Sequence, residues 1–502
     1  MQNNSFIRRI FAALALTLGL SPLPLLADAS APAAITAMPG KPVLMLGSFD
    51  FAAMGYQVDE FSVAGTAARY ALRRPVGDDG KIDAAPDGTA PYATRYVVVR
   101  PSNPAKFNGT VLVEWFNVTA GQDTPADWMV AHREILRRGY AYVGVSAQKV
   151  GVDGGASVMG MGVPLTKANP KRYGTLSHPG DAFAYDIFSQ AGLALKAKGS
   201  GSLLGPLKPA RVIGIGESQS AMFLSTYVNG IDPLARAFDG YLVHSRFGGG
   251  AALNGVGLRA ASAGNTQAMP SQLRFSPSLR VPVLSLVTET DIHGGNLNGY
   301  ADSRRPDHRT LRVWEVAGAA HADGYLFGGA FIDDGKRSAA ELAKIFVPQT
   351  SAPGAKLAKP YNTGQPHHYV LQGAIRAIDL WLRTGRAPAS TPIIQTTKAE
   401  GKTEFVSDGN GIATGGVRSP WIDVPVMRLS GVGNSGGFVG ILVGVSEPFD
   451  AARLAQIYPG GKAEYLKRFT VSLDKAIRAG HVLKEDRQEI LDIAAINYQG
   501  EN

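Results

Sequence analysis

The 502-residue chain has no cysteine. That excludes disulfides, thiol catalysis, thiolate zinc sites and iron–sulfur clusters, and it leaves the core alone to hold the fold. Charge is also sparse: 18% of residues are charged against 45% apolar, the balance of a globular rather than a disordered chain. The net charge of +9 never gathers into more than pairs such as Arg8-Arg9 and Arg304-Arg305. Basic clusters interleaved with aromatics are missing, so the charge reads as solubility and mild attraction to anionic surfaces, with no nucleic-acid partner. There is no H-E-x-x-H and no clustered carboxylate set, and His293, His308, His367 and His368 are scattered. These absences argue against a catalytic metal, and nothing in the sequence asks for a cofactor.

What is present starts at the N-terminus. "MQNNSFIRRIFAALALTLGLSPLPLLADAS" carries Arg8 and Arg9, an apolar run from Ile10, and small residues at Ala27-Asp28-Ala29. This is the layout of a cleaved secretory signal over residues 1–29. Pro22 and Pro24 cut the run short of the ~20 residues that span a bilayer, which disfavours an anchor. The expectation is a periplasmic or secreted bacterial protein with no membrane span after cleavage.

Sixty glycines and 31 prolines imply many tight turns and long surface loops around the core. The β-rich runs "TRYVVVRPSN", "GTVLVEWFN", "YAYVGVSAQ", "ARVIGIG", "FDGYLVHS", "VPVLSLVTETD" and "LRVWEVAGAAH" alternate with helix-like segments. Among the latter are "DWMVAHREILRRG", a segment N-capped by Asp181, and "HHYVLQGAIRAIDLWLRTG". That alternation predicts an α/β fold, a mostly parallel sheet with helices on both faces. From about Ala387 the chain turns loop-rich, and from Pro448 it reads as three helices. Residues 30–386 are expected to form the core, with 387–502 an extension packed on it.

In "VIGIGESQSAMFL", a strand meets a helix through Gly216-Glu217-Ser218-Gln219-Ser220. A nucleophile elbow needs small residues two positions either side of its serine, because the turn is too sharp for bulk there. Ser220 meets that demand in place of a second glycine. The register makes Ser218 the nucleophile and places the Gln219 amide at the helix N-terminus as an oxyanion donor. A dinucleotide fingerprint would need glycine at position 219, and an ordinary helix-capping serine is the plain alternative.

The context favours the elbow. A Ser–acid–His order follows, with Glu289 and Asp291 closing one strand run and His321 just past the next. A serine hydroxyl attacks only when a histidine takes its proton, and a carboxylate fixes the histidine tautomer. Asp291 is the preferred acid and Glu289 the alternative. The second oxyanion donor falls in the loop after "VLVEWFN", at the amide of Asn117 or Val118. Glu114 and Trp115 are read as packing or a structural ion pair, His178 and His244 as structural histidines, and Asp323 as a local turn partner.

The segments "VLVEWFNVTAG", "RYGTLSHPGDAFAYDIFSQAG", "GIGESQSAMFL", "PVLSLVTETD", "VWEVAGAAHAD", "AIRAIDLWLRTGRAP" and "GGVRSPWIDVPV" resemble exported bacterial proteins known as alpha/beta hydrolase domain-containing. The resemblance covers most of the chain after residue 29, the C-terminal part included. The family elbow usually continues with glycine where this chain has Ala221. It implies an α/β-hydrolase fold with loop insertions and says little about substrate. The resulting expectation is an exported serine esterase acting on a small-molecule ester through an acyl-enzyme. An amidase, peptidase or transacylase on the same triad, or a non-catalytic binder on that scaffold, are the alternatives.

Overall fold

The computed structural model describes Pro32 and residues 34–197, 201–255 and 269–500. Residues 1–29, read above as a signal, lie outside the described residues. Among the described residues, nine strands form the main sheet: β1 (Ala34–Ala37), β2 (Tyr56–Leu72), β3 (Ala84–Pro101), β4 (Thr110–Trp115), β5 (Ala141–Val145), β6 (Arg211–Glu217), β7 (Gly240–His244), β8 (Val283–Thr288) and β9 (Leu311–Val316). Their spatial order is β1-β2-β3-β5-β4-β6-β7-β8-β9. The pairings from β5 through β4 to β9 are parallel, and those of β1, β2 and β3 are antiparallel.

Every residue of β4, β5, β7 and β8 is buried. Their sequences are mostly apolar and do not alternate with exposed polar residues, as strands covered on both faces require, and the few polar members such as Glu114, His244 and Ser285 are buried too. Helices α1 (Ala126–Arg137) and α2 (Ala184–Lys196) lie on opposite faces, followed in the chain by α3 (Gln219–Thr226), α4 (Glu289–His293) and α5 (Gln365–Thr384). Three C-terminal helices, Ala451–Ile457, Gly461–Arg478 and Arg487–Asn497, complete the count expected from Pro448 onward.

One element was not foreseen and one expectation changes. The hairpin of β2 and β3, 17 and 18 residues long, is hidden in the sequence by Pro86, Gly88 and Pro91. These break the strand pattern, yet β3 pairs with β5 only at Tyr96–Val99, so its first half has an edge where missing N–H donors cost little. Asp181 is not the cap of a helix. It opens a short 3-10 turn, and its carboxylate accepts from Gln148 Nε2 and Lys149 N, which fixes the loop after β5.

The segment after residue 387 packs into the same apolar core as β4 and β6, through Trp421, Phe469 and Leu473. Val417 N donates to Glu315 O at 2.7 Å, extending the β9 edge. The connection from β4 leads to β5 on one side, and the chain then crosses back to β6 on the other. In such sheets the crevice beyond the strand C-termini at this reversal is where ligands bind. The loops after β4 and β6 meet there.

Candidate active site

Strand β6 ends at Glu217 and α3 begins at Gln219, so Ser218 alone makes the turn, with φ 59° and ψ −117°. A non-glycine residue at positive φ is strained, and here packing holds it. The Ser218 N–H donates to His244 O at 3.0 Å, and Trp115 packs on Phe223 of α3 with ring centroids 4.9 Å apart. The elbow's demand for small neighbours is visible directly. A Cβ built on Gly216 would stand 3.1 Å from Ser220 Cβ and 3.0 Å from Leu224 Cδ1. Ser220 is fully buried, and its hydroxyl has no hydrogen-bond partner.

The Ser218 hydroxyl is 2.8 Å from His321 Nε2, and His321 Nδ1 is 2.6 Å from Asp291 Oδ1. The other Asp291 oxygen accepts from Thr288 N at 2.7 Å and Thr288 Oγ1 at 2.8 Å, the capping box that starts α4. That box aims the first carboxylate oxygen at the imidazole. Burial alone would lower the His321 pKa. The Asp291 and Glu217 carboxylates beside it reverse that, so it stands above the ordinary histidine value.

Glu289 faces elsewhere. Its carboxylate accepts from Gly318 N at 2.6 Å, Ser430 Oγ at 2.8 Å and Gly431 N at 2.8 Å. It ties β8 to the loop after β9 and to the C-terminal segment, so the acid brought to His321 is Asp291 and not Glu289. Among the expected oxyanion donors, the Asn117 amide is already committed to Thr124 O at 3.0 Å. Its place as a donor is therefore corrected. The Gln219 N–H is the first of α3 and has no acceptor within the helix. The Val118 N–H donates to Gln219 Oε1 at 3.2 Å, a contact a substrate oxygen could replace.

Two features escaped the sequence. Glu217 fills the elbow position that accepts any residue, so no motif points to it, yet its Oε1 lies 3.2 Å from His321 Nε2. Behind it runs a sealed chain. His244 Nδ1 is 2.8 Å from Asp127 Oδ1, His244 Nε2 is 2.7 Å from His367 Nε2, and His367 Nδ1 is 2.8 Å from Asp323 Oδ2. Asp323 also accepts from Leu326 N, the local turn expected of it. Among the described residues, no group of three or more His, Asp or Glu is arranged to hold a metal ion. Glu114 caps α1, accepting from Asp127 N and Trp128 N, and His178 is held by Ala147 O.

Ser218, His321 and Glu217 form one wall of a cavity of about 350 Å³. Met45, Met129, Met161, Leu326, Phe327 and Leu442 make the rest largely apolar. A second cleft of about 720 Å³ opens on the other side of Ser218, past Gln219 and Phe247, toward Asn296, Asn434 and Ser435.

A mostly parallel sheet with a strained serine between strand and helix, and an acid and a histidine following in that order, is the layout of an α/β hydrolase. The chain belongs to that family: the model of the alpha/beta hydrolase domain matches residues 22–492. No curated protein matches the sequence. Among solved structures, a proposed dienelactone hydrolase from Klebsiella pneumoniae subsp. pneumoniae is 12% identical, with TM-score 0.30 over 54% of this chain and 92% of that one. The esterase Est22 is 12% identical, with TM-score 0.29 over 47% of this chain and 64% of that one. A glucuronoyl esterase from Solibacter usitatus is 14% identical, with TM-score 0.28 over 57% and 83%. Likeness of this extent says nothing about the reaction.

Proposed function

We propose that the protein is an exported serine hydrolase that cleaves carboxylic esters of small molecules through an acyl-enzyme, with residues 387–502 part of the same hydrolase unit. The observation that carries this reading is the line from Ser218 Oγ to His321 Nε2 at 2.8 Å and from His321 Nδ1 to Asp291 at 2.6 Å, opening on an apolar cavity. Ser218 attacks the ester carbonyl carbon while its proton passes to His321 Nε2. Asp291 keeps the Nδ1 proton in place and stabilises the imidazolium. The carbonyl oxygen, now negative, takes the Gln219 N–H and, in place of Gln219 Oε1, the Val118 N–H. His321 then returns its proton to the leaving alkoxide, and water repeats the sequence to free the acid. The apolar cavity suits a hydrocarbon part of the ester, and the second cleft the more polar part.

The test is hydrolysis of p-nitrophenyl acetate, butyrate and octanoate, with labelling by a fluorophosphonate probe. Ser218→Ala should lose about 10⁴-fold or more in kcat and all labelling. Ser220→Ala should keep both, because its hydroxyl faces the core. An active, labelled Ser218→Ala variant would sink the proposal.

A further inference from the structure

Glu217 is not accounted for by the three-residue relay. Its carboxylate is almost fully buried, yet it lines the cavity beside Ser218. One oxygen is 3.2 Å from His321 Nε2, the same nitrogen that faces the nucleophile. The other is 3.2 Å from Asn117 Nδ2, which also holds the Glu217 backbone carbonyl at 3.2 Å. The side chain is thus held from the β4 loop, with one oxygen directed at the nitrogen through which every proton of the proposed reaction must pass.

We infer that Glu217 is a further catalytic residue of this site, a second carboxylate that receives the Nε2–H of His321 each time the imidazolium forms. The inference rests on the proposed ester hydrolysis. In the resting state the Nδ1–H of His321 goes to Asp291 and the Nε2 lone pair accepts the Ser218 hydroxyl. When Ser218 attacks, its proton moves to Nε2, and this N–H then points between the substrate oxygen and Glu217 Oε1. The imidazolium lies between two anions, Asp291 and Glu217, until the proton leaves on the alkoxide. No other group changes its protonation.

The same contact has a cost at low pH. One extra proton on the pair either occupies Nε2 or makes Glu217 a donor to it, and both block acceptance of the serine proton. Glu217 is flanked by His321 from the β9 loop, Asp127 from α1, Asp291 from α4 and His367 from α5, and His244 is its neighbour across the sheet. His321 also faces Asp323. Burial, with the Asp291 carboxylate, pushes the Glu217 carboxyl up to about 7 against the pull of His321, so this proton is exchanged near neutrality.

The experiment is the pH profile of kcat and kcat/KM on p-nitrophenyl butyrate, with fluorophosphonate labelling rates, for wild type, Glu217→Gln and Glu217→Asp. Glu217→Gln should lower the plateau kcat roughly tenfold to a hundredfold with KM changed less than about threefold, since a charge made only in the transition state loses one partner. Its acid limb should move down by about one pH unit, because one anion no longer holds the His321 proton. Glu217→Asp keeps the charge and should return part of both effects. A wild-type profile and kcat in Glu217→Gln would overturn the inference. So would an equal loss at every pH with the acid limb unmoved, which is what a packing role through Asn117 would give. A wild type that neither hydrolyses esters nor labels overturns the proposed function as well.

Discussion

Two arrays of aspartate and histidine lie side by side beyond the strand C-termini, and only one can act on a substrate. Asp291, His321 and Ser218 form a line that ends in a hydroxyl at the wall of an open cavity. Asp127, His244, His367 and Asp323 form a line of similar hydrogen-bond lengths that ends in a carboxylate at both ends, with all four residues buried. The two facing Nε2 atoms share one proton, so one histidine must donate and the other accept. Burial, with His367 beside it, keeps the His244 pKa well below its ordinary value, which favours a neutral ring. Both arrays are built on aspartate–histidine pairs. What separates them is whether the last group meets a nucleophile on a cavity or another acid in the core.

The largest expected effect breaks this comparison at its histidines. His321→Gln should lower kcat by about 10⁴-fold with little change in melting temperature, as loss of a triad member does. His244→Gln should instead cost roughly 2–4 kcal/mol of stability, because it leaves buried partners unsatisfied, and should spare most of the activity of the folded fraction. Kinetics and denaturant unfolding on both variants decide it. An inactive but fully stable His244→Gln would show that the sealed chain is part of the catalytic machinery.

The two acids near the end of β8 sharpen the contrast at lower amplitude. Asp291→Asn should keep the fold and lower kcat by about 10³- to 10⁴-fold, since the amide allows the wrong histidine tautomer. Glu289→Gln should do the reverse. Its carboxylate accepts three hydrogen bonds between separate segments, and an amide group would face those donors, at about 1–3 kcal/mol. Its kcat should stay within about threefold of wild type. Comparable kcat losses in the two variants would remove the distinction that the geometry draws.

The open array was largely legible in the sequence because an elbow has steric rules. Gly216 and Ser220 must be small since their Cβ positions converge, and that constraint shows in one dimension. The acid and the histidine followed at run ends in chain order. Position after the strand favoured Asp291 over Glu289 without fixing the choice. That choice turns on the capping box of Thr288, a one-turn helix at the end of a strand that a run of apolar residues conceals. The sealed array could not be read at all. Its members come from α1, β7, the β9 loop and α5, up to 240 positions apart in the chain (from Asp127 to His367), and each alone looks like an ordinary buried polar residue. The β2–β3 hairpin was hidden for a different reason, since its prolines are tolerated only because the neighbouring strand is short.

The smallest expected effect concerns pH, and it divides the arrays by what they report. Burial pushes the Asp127 carboxyl up to about 8, against the pull of His367. In the unfolded chain the same group ionises near an ordinary value of about 3.9. Between these limits the native protein holds a proton that the unfolded chain has released, so this group's stabilising contribution is complete below about pH 4 and is lost as pH rises through 8. Asp127→Asn has no proton to release there. Its denaturation midpoint, measured from pH 5 to 9, should fall less steeply with pH than that of the wild type, while the acid limb of kcat/KM, governed by the open array, moves little. An unchanged slope would mean that Asp127 is ionised in the native protein. The proton between His244 and His367 would then sit on a charged ring, and the sealed chain would be a buried ion network rather than a neutral hydrogen-bonded one.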